Sequence, residues 1–325
     1  MTTLVLPRSP PAAGSAVRPR PAPPAARADA IRSGVPLGIA AAVTAATIWG
    51  GALAMTRLGV SGAGTLAPHD IAMLRFMGPA LLLLPVLLRA LPRVRAAGVW
   101  LLLLLLAGGG TPFVLVAGHG LRVAEAAEAG ALLPGTAPLC VAVVATLFGE
   151  RFGRARLLGL ALIGFAIVAV AGPALVQGAA EARGGQALLL AAAMLAAAYT
   201  LALRKAGLSA WEATAFVSVA SVATLGPVYL LVLEPGIAGA SWREIAVQAA
   251  YQGGVSGLIA PVAFATAVTR LGAVRAAAFG GLSPVAAALI GFVLLGEMPG
   301  PATALGLLAA SLGVVLVSRP AARTS

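Results

Sequence analysis

Apolar residues follow one another along this chain in long runs that short polar segments separate. Ten runs occur, at about 36–56, 70–89, 98–119, 124–148, 155–173, 185–203, 211–233, 246–268, 274–295 and 301–318. About 20 apolar residues in a helix cross the hydrocarbon layer of a bilayer. A β-barrel would instead alternate apolar and polar residues along short strands. The pattern therefore predicts an all-α membrane protein with ten transmembrane helices, numbered here helix 1 to helix 10.

Composition supports a surface that faces lipid rather than water. Hydrophobic residues make up 60% of the 325 residues and charged residues only 10%, whereas soluble proteins carry roughly 25% charged residues. The formal charge of +12 comes from arginines in short loops. No basic stretch is interleaved with aromatic residues, so nucleic acid is not an expected partner. The single cysteine, Cys140, cannot form an intramolecular disulfide.

Basic residues predict the orientation of the chain in the membrane. With the N-terminus in the cytoplasm, seventeen Arg or Lys residues fall in inside segments and four in outside loops. Cytoplasmic loops carry such an excess of basic residues. Both termini of this multi-pass protein are therefore expected on the inner side of the plasma membrane. Residues 1–34 are expected to form a disordered basic tail, and residues 319–325 a short cytoplasmic tail.

The sequence also repeats itself with an offset of 147 residues. Gly149-Glu150 closes helix 4 as Gly296-Glu297 closes helix 9, and Leu-Gly-Leu at 158–160 recurs at 305–307. The repeat holds five helices, and an odd number inserts the second copy upside down. Inverted repeats are a recurring transporter architecture with the substrate near the midplane. The division is a first repeat at 35–173, a linker at 174–184 and a second repeat at 185–318.

Polar and aromatic side chains inside the apolar helices are the candidates for lining a cavity. They are Trp49, Arg75, Tyr199, Tyr251 and Gln252. A charge at membrane depth is costly and usually faces a cavity or a partner, so Arg75 could attract an anionic group. Alternatively, Arg75 could snorkel to the outer surface, and the other polar groups could bond to neighbouring helices.

Three titratable residues near the outer ends of helices 3 and 4 are candidates for carrying a coupling proton. They are His119, Glu125 and Glu128, and the topology places them on the same side as Arg75. We therefore expect these four residues to form an outer cluster. The alternative for the two acids is a favourable interaction with the N-terminus of helix 4. Glu297 is expected to cap its helix or pair with the adjacent loop.

Glycines mark weak points at matching positions of the two halves. Gly108-Gly109-Gly110, ahead of Pro112, should interrupt helix 3, and Gly253, Gly254 and Gly257 should loosen helix 8. Such pairs indicate a binding site or a hinge. Close packing between helices is the alternative explanation.

Several motifs together resemble the EamA-like members of the drug/metabolite transporter superfamily. They are Trp49-Gly50, Arg75-Phe76, and a proline followed by a closing Gly-Glu in helices 4 and 9. The resemblance covers about residues 36–318. It implies a secondary transporter, often an exporter. It also implies a central cavity lined by helices 1–4 and 6–9, with helices 5 and 10 outside it.

The leading functional hypothesis is alternating-access transport of small metabolites or drug-like compounds. The expected partners are a small-molecule substrate and membrane lipids, a homodimer is left open, and neither a cofactor nor a metal is expected. An intramembrane enzyme and a lipid-handling protein remain alternatives. The sequence contains no HExxH or GxSxG motif that would favour the enzyme.

Overall fold

A computed structural model describes residues 24–62, 64–147, 152–271 and 273–318, which are mostly helical and contain no β-strand. The first half contains α1 (Pro24–Val60), α2 (Pro68–Ala97), α3 (Val99–Gly109), α4 (Thr111–Gly120), α5 (Ala126–Leu147) and α6 (Arg154–Gln177). The second half contains α7 (Ala180–Ala206), α8 (Ala210–Leu231), α9 (Trp242–Gln248), α10 (Ala260–Leu271), α11 (Ala273–Ala278), α12 (Ser283–Leu295) and α13 (Pro301–Val317). A π-helix, Ala249–Ile259, joins α9 to α10.

Eight helical segments of the described chain are long and apolar enough to cross a membrane. They are Val35–Val60, Pro68–Ala97, Val99–Gly120, Arg154–Val176, Ala180–Leu203, Ala210–Leu231, Trp242–Leu271 and Ala276–Leu295. Helix α13 is apolar but shorter, with 17 residues. Helix α5 lies where the fourth span was predicted, but it is not among the eight segments named above. The protein is therefore a multi-pass helical membrane protein, and the described residues account for eight of the ten predicted spans.

Some boundaries differ from the sequence prediction. Helix α1 begins at Pro24, within the segment predicted as a tail. Helix α6 continues to Gln177 and α7 begins at Ala180, so the predicted linker is largely helical. Alanine favours the continuation of a helix, and Gly178 interrupts it in an extended conformation. Residues 1–23, Glu150 and the C-terminal tail lie outside the described residues.

Both predicted weak points appear as irregular backbone. Gly110 is extended and separates α3 from α4, and the glycines of helix 8 lie in the π-helix. Helix 9 contains a further irregularity, a 3₁₀ turn at Phe279–Leu282, which was not predicted. It precedes Pro284, whose ring lacks the N–H that a regular helical bond requires.

The contacts that a helix of one half makes with the other half are matched by the contacts of its equivalent helix. Helix α1 packs against α10 and α12, and its equivalent α7 packs against α3 and α5. Three further pairs join equivalent helices across the halves: α2 with α8, α5 with α12, and α6 with α13. The arrangement is what a two-fold relation between the repeats requires.

The contact between α6 and α13 follows the 147-residue offset residue by residue. Gly159 lies against the carbonyl oxygen of Gly313, and Gly306 lies against Ala166. Adding 147 turns Gly159 into Gly306 and Ala166 into Gly313, so each contact is the image of the other. In both contacts the early part of one helix meets the later part of its partner. The two equivalent helices therefore run antiparallel, with glycine allowing their backbones to approach closely.

Candidate functional site

Gln252, on the π-helix of the second half, lies at the centre of a polar junction with the first half. Its side chain is fully buried. The Nε2 atom donates to Thr56 Oγ1 at 3.0 Å and to the carbonyl oxygen of Ala52 at 3.3 Å. Its Oε1 atom accepts from Arg75 Nη1 at 3.0 Å. One amide therefore joins α1, α2 and the π-helix, and all of its hydrogen-bonding groups are used.

Small residues let α2 approach the π-helix closely enough for this bond. Gly253 lies against the carbonyl oxygen of Leu74, and Gly257 lies against Pro79. A side chain at either glycine would collide with α2. A π-helix forms i to i+5 hydrogen bonds and often occurs at functional sites. The glycines of helix 8 thus lie in irregular backbone, and Gly253 and Gly257 also permit the close packing that was the alternative explanation.

Two of the predicted aromatic residues belong to the same junction. The Tyr251 hydroxyl donates to the carbonyl oxygen of Ile48 at 3.1 Å, and Gly51 leaves the space that this hydroxyl occupies. Trp49, the residue after Ile48, packs its ring against Phe264 of α10 with 5.3 Å between the centroids. Together with Arg75 and Gln252, four of the five predicted cavity residues therefore lie around α1 and the π-helix.

The fifth, Tyr199, lies elsewhere in the molecule. Its ring packs on Gly109 and its Cβ lies against Gly108, where α7 meets α3. That interface is the counterpart, in the exchanged halves, of the one between α1 and α10. Close by in the chain, Thr111 N donates to Ser221 Oγ of α8 at 3.1 Å. A buried polar contact between the halves therefore also joins α4 and α8.

A second junction joins the halves at the ends of α1 and α12. Arg57 Nε donates to Glu297 Oε1 at 2.7 Å, and Arg57 Nη1 donates to the carbonyl oxygen of Leu121 at 2.9 Å. Glu297 Oε2 accepts from Ala126 N, the first residue of α5, at 3.1 Å. The two charged side chains are only 16% and 15% exposed. We call this pair, with its contact to α5, the outer latch, because the orientation predicted from the basic residues would place it on the outer side of the membrane.

The outer latch corrects the expectation for Glu297. Its carboxylate pairs with an arginine 240 residues away in the chain, rather than with its own helix or the adjacent loop. The Glu297 carboxylate does accept a bond from a free N–H group at the start of a helix, as a capping residue would. That helix is α5, which belongs to the other half. Glu125 lies beside this network. Burial raises the pKa of Glu125 above its ordinary value, and the nearby Glu297 carboxylate raises it further, whereas Arg57 lowers it.

The predicted outer cluster of four residues does not form. Arg75 bonds to Gln252 rather than to an acid. His119 is exposed, and its Nδ1 contacts the carbonyl oxygen of Leu115 on its own helix at 2.8 Å. Glu128 Oε2 accepts from Glu125 N at 3.0 Å, which is the helix-start interaction considered as the alternative. The sequence determines how far along the axis of α2 Arg75 lies. The rotation of α2 about that axis directs the Arg75 side chain toward the π-helix.

Further polar contacts join the halves at both ends of the helices. At the end that carries the outer latch, buried Asp70 accepts from the Tyr229 hydroxyl at 2.6 Å and from Gly236 N at 3.1 Å. At the opposite end, Arg93 Nη1 and Glu212 Oε1 are 2.6 Å apart. The two halves are thus in polar contact at each end as well as at the centre.

A cavity of about 630 Å³ opens beside the outer latch. Its polar lining includes Arg57, Glu244, Gln248 and Glu297, and its volume lies within the range of small-molecule sites. Gln248 donates through Nε2 to the carbonyl oxygen of Met55 at 2.6 Å. Its buried Oε1 has no hydrogen-bond partner in the described part of the chain.

Three residues of these junctions were missed by the sequence reasoning. Gln248 lies four residues before Gln252, and both bond to α1, so their helical spacing was an available signal. Arg57 and Glu297 carry opposite charges at helix ends that the predicted topology places on the same side. Their pairing required knowledge that α1 and α12 are neighbours, which no local pattern supplies.

These features define a polytopic membrane protein with two related halves and a buried polar junction between them. The chain matches the family model described as the EamA-like transporter family over residues 36–172 and again over 183–319. The chain therefore belongs to this family, whose members are transporters rather than enzymes. The resemblance based on Trp49-Gly50 and Arg75-Phe76 is confirmed, and the second match confirms that the chain contains two repeats.

The fold also occurs among solved structures. One of them, described only as "Crystal structure of protein", is 21% identical, with a TM-score of 0.55 over 87% of this chain and 95% of that chain. At this identity the likeness concerns the fold alone. No curated protein matches the chain.

Proposed function

We propose that the protein is a secondary active transporter that exports small metabolites or drug-like compounds across the cytoplasmic membrane by alternating access. In this proposal α5 and α13 complete a set of ten spans. The two five-helix repeats are inverted relative to each other, and both termini are cytoplasmic. Membership of a transporter family and the structural relation between the halves are its two supports.

The reciprocal contact between α6 and α13 is the observation that carries the proposal. Gly159 meets Gly313 as Gly306 meets Ala166, so equivalent helices cross antiparallel about a two-fold axis. Such an axis lies across the helices, in the plane of the membrane. Inverted repeats can rock against each other about a site near the midplane. Two conformations of similar energy are then available, open to opposite sides.

The polar contacts suggest where rocking would act. The outer latch would open toward the outside, and the Arg93–Glu212 pair would open toward the cytoplasm. The junction at Gln252 lies between them and would remain close to the substrate path. Arg75, Gln252, Tyr251 and Trp49 are accordingly the residues that we propose for the substrate site. Tyr199 would belong to the equivalent interface of the other half.

A reversible cross-link between the halves tests this mechanism. Thr65 of the first half bonds through Oγ1 to Glu244 Oε2 of the second half at 3.0 Å. In a Cys140→Ala background, Thr65→Cys with Glu244→Cys is oxidised, and the loss of free thiols shows which fraction of the protein carries the disulfide. The assay is metabolite efflux and growth resistance in an overexpressing strain, compared with a deletion strain. We expect oxidation to stop the efflux and a reductant to restore it.

The matched control is the single Thr65→Cys variant, which cannot form the intramolecular bridge. Its efflux should be the same before and after oxidation. Full efflux in the cross-linked double variant would contradict alternating access through an opening between α9 and the α1–α2 loop. Equal metabolite profiles in the overexpressing and deletion strains, over a broad panel of compounds, would contradict export itself.

A further inference from the structure

Arg75 brings a positive charge into the membrane-spanning part of α2. It lies seven residues after Pro68, about 10 Å along the helix at 1.5 Å per residue. The salt bridges within the described residues are Arg57–Glu297 and Arg93–Glu212, and neither contains Arg75. Its described hydrogen bond goes to the neutral amide of Gln252. A charge at membrane depth without an opposite charge is unfavourable, so this site favours an anion.

The geometry limits the kind of anion. A guanidinium has five N–H groups in a planar fork, and one bond to Gln252 leaves several for another acceptor. Arg75 is only half-buried, so part of the fork remains open. A carboxylate matches this fork with two parallel hydrogen bonds. One cation balances one negative charge, whereas a phosphate ester near neutral pH carries close to two.

The surroundings limit the remainder of the ligand. Beside Arg75, Leu74 and Pro79 pack against Gly253 and Gly257 of the π-helix. Trp49 packs with Phe264 on the other side of the junction. A ligand that places its carboxylate on Arg75 therefore meets mainly apolar surface. Burial of an apolar body against these residues would be favourable.

We propose that Arg75 and Gln252 form the recognition site for small monocarboxylates with an apolar body. The proposal rests on the proposed transport function, because it identifies the substrate class of that same site. Gln252 acts as a positioning residue: it fixes one edge of the guanidinium and leaves the other edge for the ligand. Gln248, in the wall of the cavity beside the outer latch, lies one turn from Gln252, and both side chains bond to α1.

Direct binding to the purified full chain in detergent tests the proposal. The probes are benzoate and octanoate, their neutral amides benzamide and octanamide, and phenyl phosphate. Melting temperature and tryptophan fluorescence report binding without any need for transport. We expect each carboxylate to bind at least about tenfold more tightly than its amide and more tightly than phenyl phosphate, a difference typical of one charge-assisted contact.

Gln252→Glu is the decisive variant, because it adds a carboxylate of nearly the same shape at 3.0 Å from Arg75. It should neutralise Arg75 internally and weaken carboxylate binding at least tenfold. The protein should also melt below the wild type, because a carboxylate cannot replace the two bonds that Nε2 donates to α1. Arg75→Gln should remove the preference for carboxylate over amide. The control is Arg122→Gln, on an exposed loop, which should leave binding unchanged.

Three results would overturn the assignment. They are equal affinity for the acids and amides, tighter binding of phenyl phosphate, and carboxylate binding that survives Gln252→Glu. If Arg75→Gln fails to fold, the Gln252→Glu result still decides. Binding is measured without a membrane. Carboxylate binding without efflux would therefore contradict the transport proposal and leave the assignment of the binding site intact.

Discussion

Loss of the Glu297 charge should weaken the junction between the halves by a measurable amount. Breaking a fully buried ion pair costs about 3–5 kcal/mol, whereas exposed pairs contribute about 0–1 kcal/mol. Arg57 and Glu297 are 16% and 15% exposed, which places them nearer the buried limit. We therefore expect Glu297→Gln to lower the free energy of unfolding by about 2–3 kcal/mol, because Arg57 then loses its counter-charge.

The structure separates the charge from the contact to α5. The amide oxygen of Glu297→Gln can still accept from Ala126 N, a bond that Glu297 makes at 3.1 Å. Glu297→Ala removes both interactions and should cost about 1 kcal/mol more, the usual effect of losing an N-cap acceptor. Arg93→Gln is the matched control at the opposite end. Its side chain is 69% exposed, so we expect less than about 1 kcal/mol.

Reversible unfolding of the purified protein in mixed micelles would give these free energies. Thiol labelling supplies a second measurement, with Ala127→Cys, buried at the start of α5 beside the contact to Glu297, and a Cys140→Ala background. Glu297→Gln should accelerate labelling, because the outer end opens more often. If Glu297→Gln costs no more than Arg93→Gln and labelling is unchanged, the outer latch does not hold the halves together.

Three further predictions concern the repeat, the topology and pH. Gly159→Leu and Gly306→Leu should each cost about 1–3 kcal/mol by overpacking and by similar amounts. Gly164→Leu, at a position open on that side, should cost little in the same unfolding assay. Reporter fusions at the C-terminus should give a cytoplasmic signal, and a periplasmic signal would contradict the predicted orientation. Burial raises the pKa of Glu125, so its folded form binds a proton more tightly. Its contribution to stability is therefore present at low pH and lost as pH rises above about 4.5. Glu125→Gln should flatten the resulting fall in melting temperature, and an unchanged pH profile would contradict this.

The helices were largely predictable because their signals are local. Long apolar runs identify spans from composition alone, and eight were found within the described residues. Gly110 interrupts helix 3 as expected. The repeat was predictable for a different reason: Gly159 and Gly306 are constrained by the same contact, so each half retains the same small residue.

The partners of the polar residues were not predictable, because they depend on helix rotation and on which helices are neighbours. The position of Arg75 along the helix axis could be predicted from its distance to the start of α2. The direction of its side chain could not, because the backbone hydrogen bonds of a helix in lipid are satisfied at every rotation about its axis. The packing of Gly253 and Gly257 against α2 sets that rotation. The residues that decide the partner of Arg75 thus lie about 180 positions away in the chain.

The hydrogen bonds between the halves differ in kind between the centre, at Gln252, and the two ends, at the outer latch and at Arg93–Glu212. This difference affects which bonds the proposed motion would have to break. At the centre, Gln252 and Tyr251 bond to carbonyl oxygens of α1. A helix offers carbonyl oxygens at every turn, 5.4 Å apart, although each already accepts a helical bond. A small shift can therefore be absorbed by a bifurcated or exchanged bond. At the ends, Arg57 and Arg93 each bond to one carboxylate in the other half, for which no equivalent lies one turn away. If the halves rock as we propose, the ion pairs at the ends must break while the bonds at the centre adjust. Mutations at the ends should therefore change the balance between the two conformations. Mutations at the centre should instead change substrate binding.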